Sequence, residues 1–525
     1  LRQDDALKLY LSLLDLTRDA DPADPAFRKL IVGIPKTTFS DILRVFDPSY
    51  IQEHVDSAPG LRISYGAAIH TPLGELVNKW GIKVLYTSIH NRLRMLQQLR
   101  RYADIRPLLS DYSILLRCAA AAADHYGVKT IWLAARRDGH VDWLSATLYA
   151  EFVKARFLTE SLYANNDLAR YRLRPIDLYR SSFRLTRATI RSLKHLIANM
   201  RHRQMHRFGQ NPRQLYFAIP LTRNLRHRTP LRRLERSAFR RGFLPSERGL
   251  ACALLKANGR NGRIIDCYDI LQVCWDIKID VNWDTREIQV SGGANFRPDS
   301  PQAPNEELLE AIVHCFGSQA QVVIATQLLS YVSERYNIPV PNKVWSDLLD
   351  YIRIAVSKPA STEWRLAGIP SKMLRPTAAI DFWELSTNAP HSFQPGVRDY
   401  HNLSKCLIWD KSPMGRPLEI MKHIRLLYNG TAGELRTAWR ELLQTTAQQV
   451  PNHAAYRRYR VLQSEKHYMW YCFHYTALQM LKKVKPMTVN DEDAVRNIPN
   501  IILEFSAFMP QVIRYRIATG NIELR

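Results

Sequence analysis

A helix pair that returns every thirty-odd residues constrains the fold of this chain more than any other feature. Asp111–Ala121 and Ala122–Arg137 read as two helices, Gly139–Asp142 as a turn, and Trp143–Phe157 as a new start. The step from Asp111 to Asp142 is 31 residues. Asn305–Phe316 and Gln319–Tyr336 form a second pair, and NIPVPN leads into Lys343–Val356; Asn305 to Asn342 is 37 residues. Pro417–Tyr428 and Glu434–Gln449 form a third, followed by VPN and a helix from His453; Pro417 to Pro451 is 34 residues. A helix hairpin of this size cannot bury its apolar stripe alone, so it stacks on its neighbours. The expected fold is therefore all-α, a solenoid of degenerate helix hairpins with small irregular or β-hairpin insertions.

The remaining chain is divided by its punctuation. Residues 1–105 read as short helices between proline turns: Asp4–Thr17, a helix opened by Asp24 and Pro25, Thr37–Phe46, Leu73–Trp80 and the basic Ser88–Tyr102. Residues 106–245 hold the first repeats and an arginine-rich stretch, and 246–290 hold a further repeat and a possible hairpin over Asp276–Val290. Residues 291–304 (SGGANFRPDSPQAP) read as a linker, 305–366 as repeats, 367–415 as an irregular connector and 416–525 as repeats with a terminal hairpin. No run of about 18 apolar residues predicts a membrane span. The seven scattered cysteines show no CxxC pair and read as buried thiols.

Charge is the second constraint. Between Arg170 and Arg241 there are 20 Lys or Arg and only 2 acids, Asp177 and Glu235. That excess of 18 stands against +25 for the whole chain, so the rest is close to balance. All but Lys194 of these cations are arginine, interleaved with Tyr171, Tyr179, Phe183, Phe208, Tyr216, Phe217 and Phe239. A guanidinium offers a planar fork for phosphate and a flat face for stacking, and a dense field of them suits a polyanion. The phosphate-contacting candidates are Arg201, Arg203, Arg207, Arg213, Arg223, Arg226, Arg228, Arg232, Arg233, Arg240 and Arg241, with Tyr216 and Phe217 for base stacking. A solvated helix face or an acidic protein partner would explain the same charges.

The chain has no GxxxxGK[ST], GxSxG or HExxH string and no spaced Cys/His quartet, so neither a catalytic group nor a cofactor nor a metal is expected. His202 and His206 lie four apart among arginines, which repel a cation. The acids Asp19, Asp21 and Asp24, and Asp491, Glu492 and Asp493, sit where helices start and complement the helix dipole. Gly259–Gly262 matches the GxxG of a KH module, but a helix-hairpin turn explains the same glycines.

Several strings resemble pentatricopeptide-repeat proteins: RRDGHVDWLSATLY, GFLPSERGLACALLKANGRNGRIIDCYDILQ, YNIPVPNKVWSDLLDYI and AQQVPNHAAYRRY. More narrowly, YNIPVPNKVWSDLLDYI, KPASTEW, WDKSPMGRPLEIMKHIRLLYN and VIRYRIATGNIELR resemble fungal mitochondrial ATPase-expression factors. The resemblance implies a mitochondrial matrix protein without catalytic activity that binds an organellar mRNA and acts in its stability, processing or translation. By position it implies that Ser113, Asp142, Asn342 and Ser346 face bases, one base per repeat. The alternative is a structural component of the mitochondrial ribosome or another large ribonucleoprotein, its arginines docked on folded RNA.

Overall fold

The structure, a computed structural model, describes residues 5–18, 21–78, 81–140, 145–160, 186–192, 195, 228–282, 287–297, 299–357, 361, 365, 374–375, 377–388, 391–409, 415–448, 452–484, 499–509, 512–517 and 520–524. Its longer helices, numbered over those residues, are α1 (Asp5–Arg18), α2 (Pro25–Gly33), α3 (Lys36–Val45), α4 (Pro48–His54), α5 (Tyr65–His70), α6 (Val84–Tyr102), α7 (Leu109–Ala121), α8 (His125–Ala135) and α9 (Ala146–Phe157). There follow α10 (Arg228–Arg240), α11 (Arg248–Asn261), α12 (Ile264–Trp275), α13 (Glu306–Ser318), α14 (Val322–Tyr336), α15 (Asn342–Val356), α16 (Ala378–Thr387), α17 (Val397–Trp409), α18 (Gly415–Ala447) and α19 (His453–Val484). Two antiparallel hairpins complete the fold, β1 (Ile277–Asn282) with β2 (Glu287–Gly292) and β3 (Ile513–Ile517) with β4 (Gly520–Leu524). The first was expected from the alternation over Asp276–Val290 and the second from a turn at Thr519 and Gly520.

The all-α reading holds, and the helices stack in two rows. Helices α7, α9, α11, α13, α15, α17 and α19 form a continuous row in which each packs on the next. Helices α8, α12, α14, α16 and α18 flank it, each lying against members of that row. The local signals are those of ordinary helix starts. Asp24 and Asp47 each accept a backbone N–H from the first turn, and Pro25 and Pro48 open α2 and α4. Asn305 does the same for α13.

Helix α11 is the keystone of the row. Eleven of its 14 residues are buried. Leu250, Ala253, Leu254 and Ala257 belong to the N-terminal core, while Ala251, Cys252 and Leu255 belong to the C-terminal one. A helix buried on every side is one enclosed by neighbours. The GxxG glycines are accounted for here. A side chain at Gly259 would meet the Cys315 Cα at 2.5 Å, so α11 and α13 cross in close contact. Gly262 ends the helix in the left-handed region at φ 72°. This is a helix terminus and not the loop of a KH module.

Four expectations are corrected. Residues 367–415 are not an irregular connector, because Ala378–Thr387 and Val397–Trp409 are helices that pack into the stack. Leu73–Trp80 is not a helix: Pro72–Leu76 is a 3₁₀ turn, and Val77 pairs with Lys83 as an isolated bridge. Pro417–Tyr428 and Glu434–Gln449 are not two helices but one of 33 residues, continuous through Gly430 and Gly433. Both glycines are solvent-exposed, and pairing with α19 along its length offsets the roughly 1 kcal/mol that each costs a helix. Residues 291–304 are no free linker. The Tyr331 hydroxyl and Arg335 donate to the carbonyls of Gly292 and Gly293, Trp275 Nε1 donates to Gln302 O at 3.0 Å, and Arg248 donates to Ala303 O at 2.6 Å.

The N-terminal region meets the far end of the row. Ile63, Ala67, Leu73 and Val77 form a small core of their own that packs on Tyr468 and Tyr471 of α19. Arg62 reaches Asp347 at 2.9 Å and Asp350 at 2.5 Å on α15. Arg457 donates to Gln52 O at 3.1 Å. Residues 56–83 thus form a strap that ties the beginning of the chain to α15 and α19.

Candidate nucleic-acid interface

Helix α10 carries most of the described arginines of the arginine-rich stretch; Arg187, Arg191 and Arg241 are the others. Its inward stripe is short: Leu231 and Ala238 are fully buried, and Leu234 is half-buried between them. Spacings of three and four put these on one face, against α11. Glu235, the one acid of the helix, points the same way. It accepts a hydrogen bond from Asn258 and pairs with Arg263 at 2.9 Å. Arg263 is itself buried and also pairs with Asp266. The carboxylate that could have neutralised the helix is therefore spent on the core.

The opposite face has no such compensation. Arg232, Arg233, Arg236 and Arg240 are exposed, and none has a carboxylate partner among the described residues. Phe239 lies among them, 65% exposed. Residues 232, 236 and 240 step by four, so three guanidiniums line one edge of the helix, with 233 beside them. Like charges at this spacing repel unless an anion lies across them. Four cations around one flat aromatic suit an RNA strand, phosphates on the guanidiniums and a base on the ring.

The sequence candidates are not all placed alike. Arg232, Arg233 and Arg240 come together on this face. Arg241 follows the helix, exposed, with its guanidinium 6.0 Å from the Tyr149 ring centre. Arg228 begins the helix. Arg201, Arg203, Arg207, Arg213, Tyr216, Phe217, Arg223 and Arg226 lie outside the described residues, as do Asp142, His202, His206 and the acids at 491–493. Ser113 is half-buried on α7. Asn342 faces the segment before α17 and Ser346 faces α17: the Asn342 Oδ1 accepts from Gln394 N at 3.2 Å, and the Ser346 hydroxyl donates to Asp399 at 3.0 Å. Arg236 joins the face without having been singled out, and Phe239, named above only among the interleaved aromatics, joins it too. The four-residue step from Arg232 through Arg236 to Arg240 was the available signal.

The long row carries charges of another kind. Lys154, on α9, lies 3.6 Å from both Glu151 and Glu160 and 3.7 Å from Glu307. Lys256, on α11, lies 3.7 Å from Glu160 and 3.8 Å from Glu310. Burial pushes the Glu160 carboxyl up, but Lys256 and Lys154 outweigh it and hold it at about 2. These charges cross-link neighbouring helices and are matched in sign.

Asp21 and Asp24 accept backbone N–H groups at 2.8 and 2.9 Å, as helix-start residues do. No group of three or more His, Cys, Asp or Glu set to hold a metal occurs among the described residues. All seven cysteines are buried free thiols. No helix among the described residues is long and apolar enough to cross a membrane.

The described face is bolted to a recognisable unit. Residues 248–365 match the family described as mitochondrial ATPase expression. The match begins at the first residue of α11, on which α10 packs, and runs through α15. It takes in YNIPVPNKVWSDLLDYI and KPASTEW, and so bears out the likeness to ATPase-expression factors in that part of the chain. No curated protein matches the chain.

Proposed function

We propose that this protein is a mitochondrial ATPase-expression factor that binds organellar RNA through the outer face of α10 and has no catalytic step of its own. The family match over residues 248–365 carries the reading, because it supplies both the compartment and the process. The arginine face supplies the means. A factor acting on expression in an organelle needs a polyanion contact, and Arg232, Arg233, Arg236, Arg240 and Phe239 present one beside the matched unit. The two-row stacking of helix pairs supports a pentatricopeptide-like mode, in which the RNA runs along the repeats. The arginines hold phosphates and set the path of the strand; base choice falls to other positions.

Crosslinking in mitochondria, followed by sequencing of the attached RNA, tests this. Reads piled on one short site in an ATP-synthase mRNA are the expected result. Reads spread over ribosomal RNA would make the protein a ribosome component, and background reads would send the arginine face to a protein partner.

A further inference from the structure

Helix α18 repeats a surface device already met on α10. There the run is Arg236, Ser237, Ala238, Phe239 and Arg240; on α18 it is Arg436, Thr437, Ala438, Trp439 and Arg440. Arginine, hydroxyl residue, alanine, aromatic ring and arginine follow in the same order. The two runs are also turned the same way. Ala238 and Ala438 are each 1% exposed and point inward, while Phe239 is 65% and Trp439 45% exposed. All four arginines are exposed.

The packing of α18 leaves this face uncovered. The helix lies against α17 and α19, and over residues 429–447 Ala438 alone is buried. Arg436 and Arg440 stand four residues apart on one edge, and Trp439, three from Arg436, lies beside them. Tyr459 of α19 packs on the Trp439 ring, centres 5.1 Å apart, and fixes it in place. Neither arginine has a carboxylate partner among the described residues. Glu441 is taken by Arg458 at 3.2 Å, and Glu434, two residues from Arg436, faces another side of the helix.

The surroundings share the sign. From Arg416 to Lys466 the chain carries nine Lys or Arg against four acids. An indole beside two unpaired guanidiniums takes a flat ring on its face and an anion at its edges, and single-stranded RNA offers both in alternation. An acidic protein would answer the arginines, but not the return of an exposed ring at the same place between them.

We propose that the outer face of α18 around Trp439 is a second contact for single-stranded RNA, with a base on the indole and phosphates on Arg436 and Arg440. The proposal rests on the RNA-binding reading and adds a place to it: α18 lies outside residues 248–365 and outside the arginine-rich stretch. Two contacts on one chain raise the affinity for a strand that reaches both, since the second binding event is then intramolecular. A strand held at both is also fixed in its path by the protein.

The test is fluorescence anisotropy of the full chain with a labelled single-stranded RNA of mixed sequence, titrated upward from low salt, where phosphate contacts alone give binding. Trp439→Ala should weaken binding about tenfold, as the loss of one stacked base does, and Trp439→Phe should retain it. Arg436→Gln with Arg440→Gln should reduce the salt slope by about 1.4, the share of two phosphates on a single strand, at an unchanged Tm. Ultraviolet irradiation of the complex should leave an RNA adduct on Trp439. If the wild type binds RNA and Trp439→Ala binds it equally well, or the glutamine variant keeps the full slope, this contact is overturned, the RNA reading stands on α10, and the α18 face passes to a protein partner. If the wild type binds no RNA at low salt, both fall together.

Discussion

Helix α10 and the buried row put the same residue types to opposite uses. On α10 the single acid, Glu235, turns inward and Arg232, Arg233, Arg236 and Arg240 are left in water. Along α9 and α11, Lys154 and Lys256 turn inward and meet Glu151, Glu160, Glu307 and Glu310. The first arrangement adds little to the fold and leaves charge for a ligand. The second cross-links the fold and leaves none. Arginine content alone does not distinguish them; the position of the nearest carboxylate does.

The widest test of that contrast removes an interior carboxylate. Asp350→Asn strips the charge that Arg62, Arg398 and Arg353 share, and should cost about 3–5 kcal/mol, the usual penalty for unpairing a buried charge. Urea unfolding checks it, and a loss below about 1 kcal/mol would mean that solvent already screens the cluster. Reversing the exterior charges should do the converse. Arg232→Glu, Arg236→Glu and Arg240→Glu together should weaken RNA binding at least about a hundredfold at low salt and flatten its dependence on salt. The unfolding free energy of that variant should stay within about 1 kcal/mol of the wild type, as for exposed sites. Equal RNA affinity would remove α10 from the interface.

Acid should separate the two regions as well. Burial, with the nearby Arg156 charge, depresses the His125 imidazole from 6.5 to about 4. The folded state favours the neutral ring, so its contribution is full above pH 6.5 and is lost as the pH falls toward 4. Thermal melts from pH 7 to pH 4.5 should fall steadily, and His125→Gln should flatten that slope; an unchanged slope would assign the loss elsewhere. Glu160, held at about 2, adds a second loss only below its ordinary value of 4.5. The smallest effect is Phe239→Ala, worth about 1 kcal/mol of RNA affinity if a base stacks on the ring and nothing if the ring is idle. Fluorescence anisotropy with a short RNA decides it.

The sequence carried the fold better than the site. Asp24–Pro25, Asn305 and the glycine after α11 announce helix ends by local chemistry, and the structure places ends there. The break expected near Gly430 failed because the partner helix α19 holds α18 straight through two glycines, a tertiary effect with no local mark. The apparent linker failed for a similar reason: its carbonyls are taken by Tyr331, Arg335, Trp275 and Arg248, all distant in the chain or on another element. The charge excess at Arg170–Arg241 was legible as a count. Which arginines share a face was legible only from the helical step, and the inward turn of Glu235 needed its partners Asn258 and Arg263 in view.

The strap has a consequence for timing. Arg62 precedes its partner Asp347 by 285 residues. While the chain emerges from its amino end, the strap has nothing to close on, and a core of Ile63, Ala67, Leu73 and Val77 is too small to hold by itself. The first half must assemble with an open seam and an arginine exposed. Closure waits for α15, α17 and α19 to be made and stacked, so docking of the strap signals that the row behind it is complete.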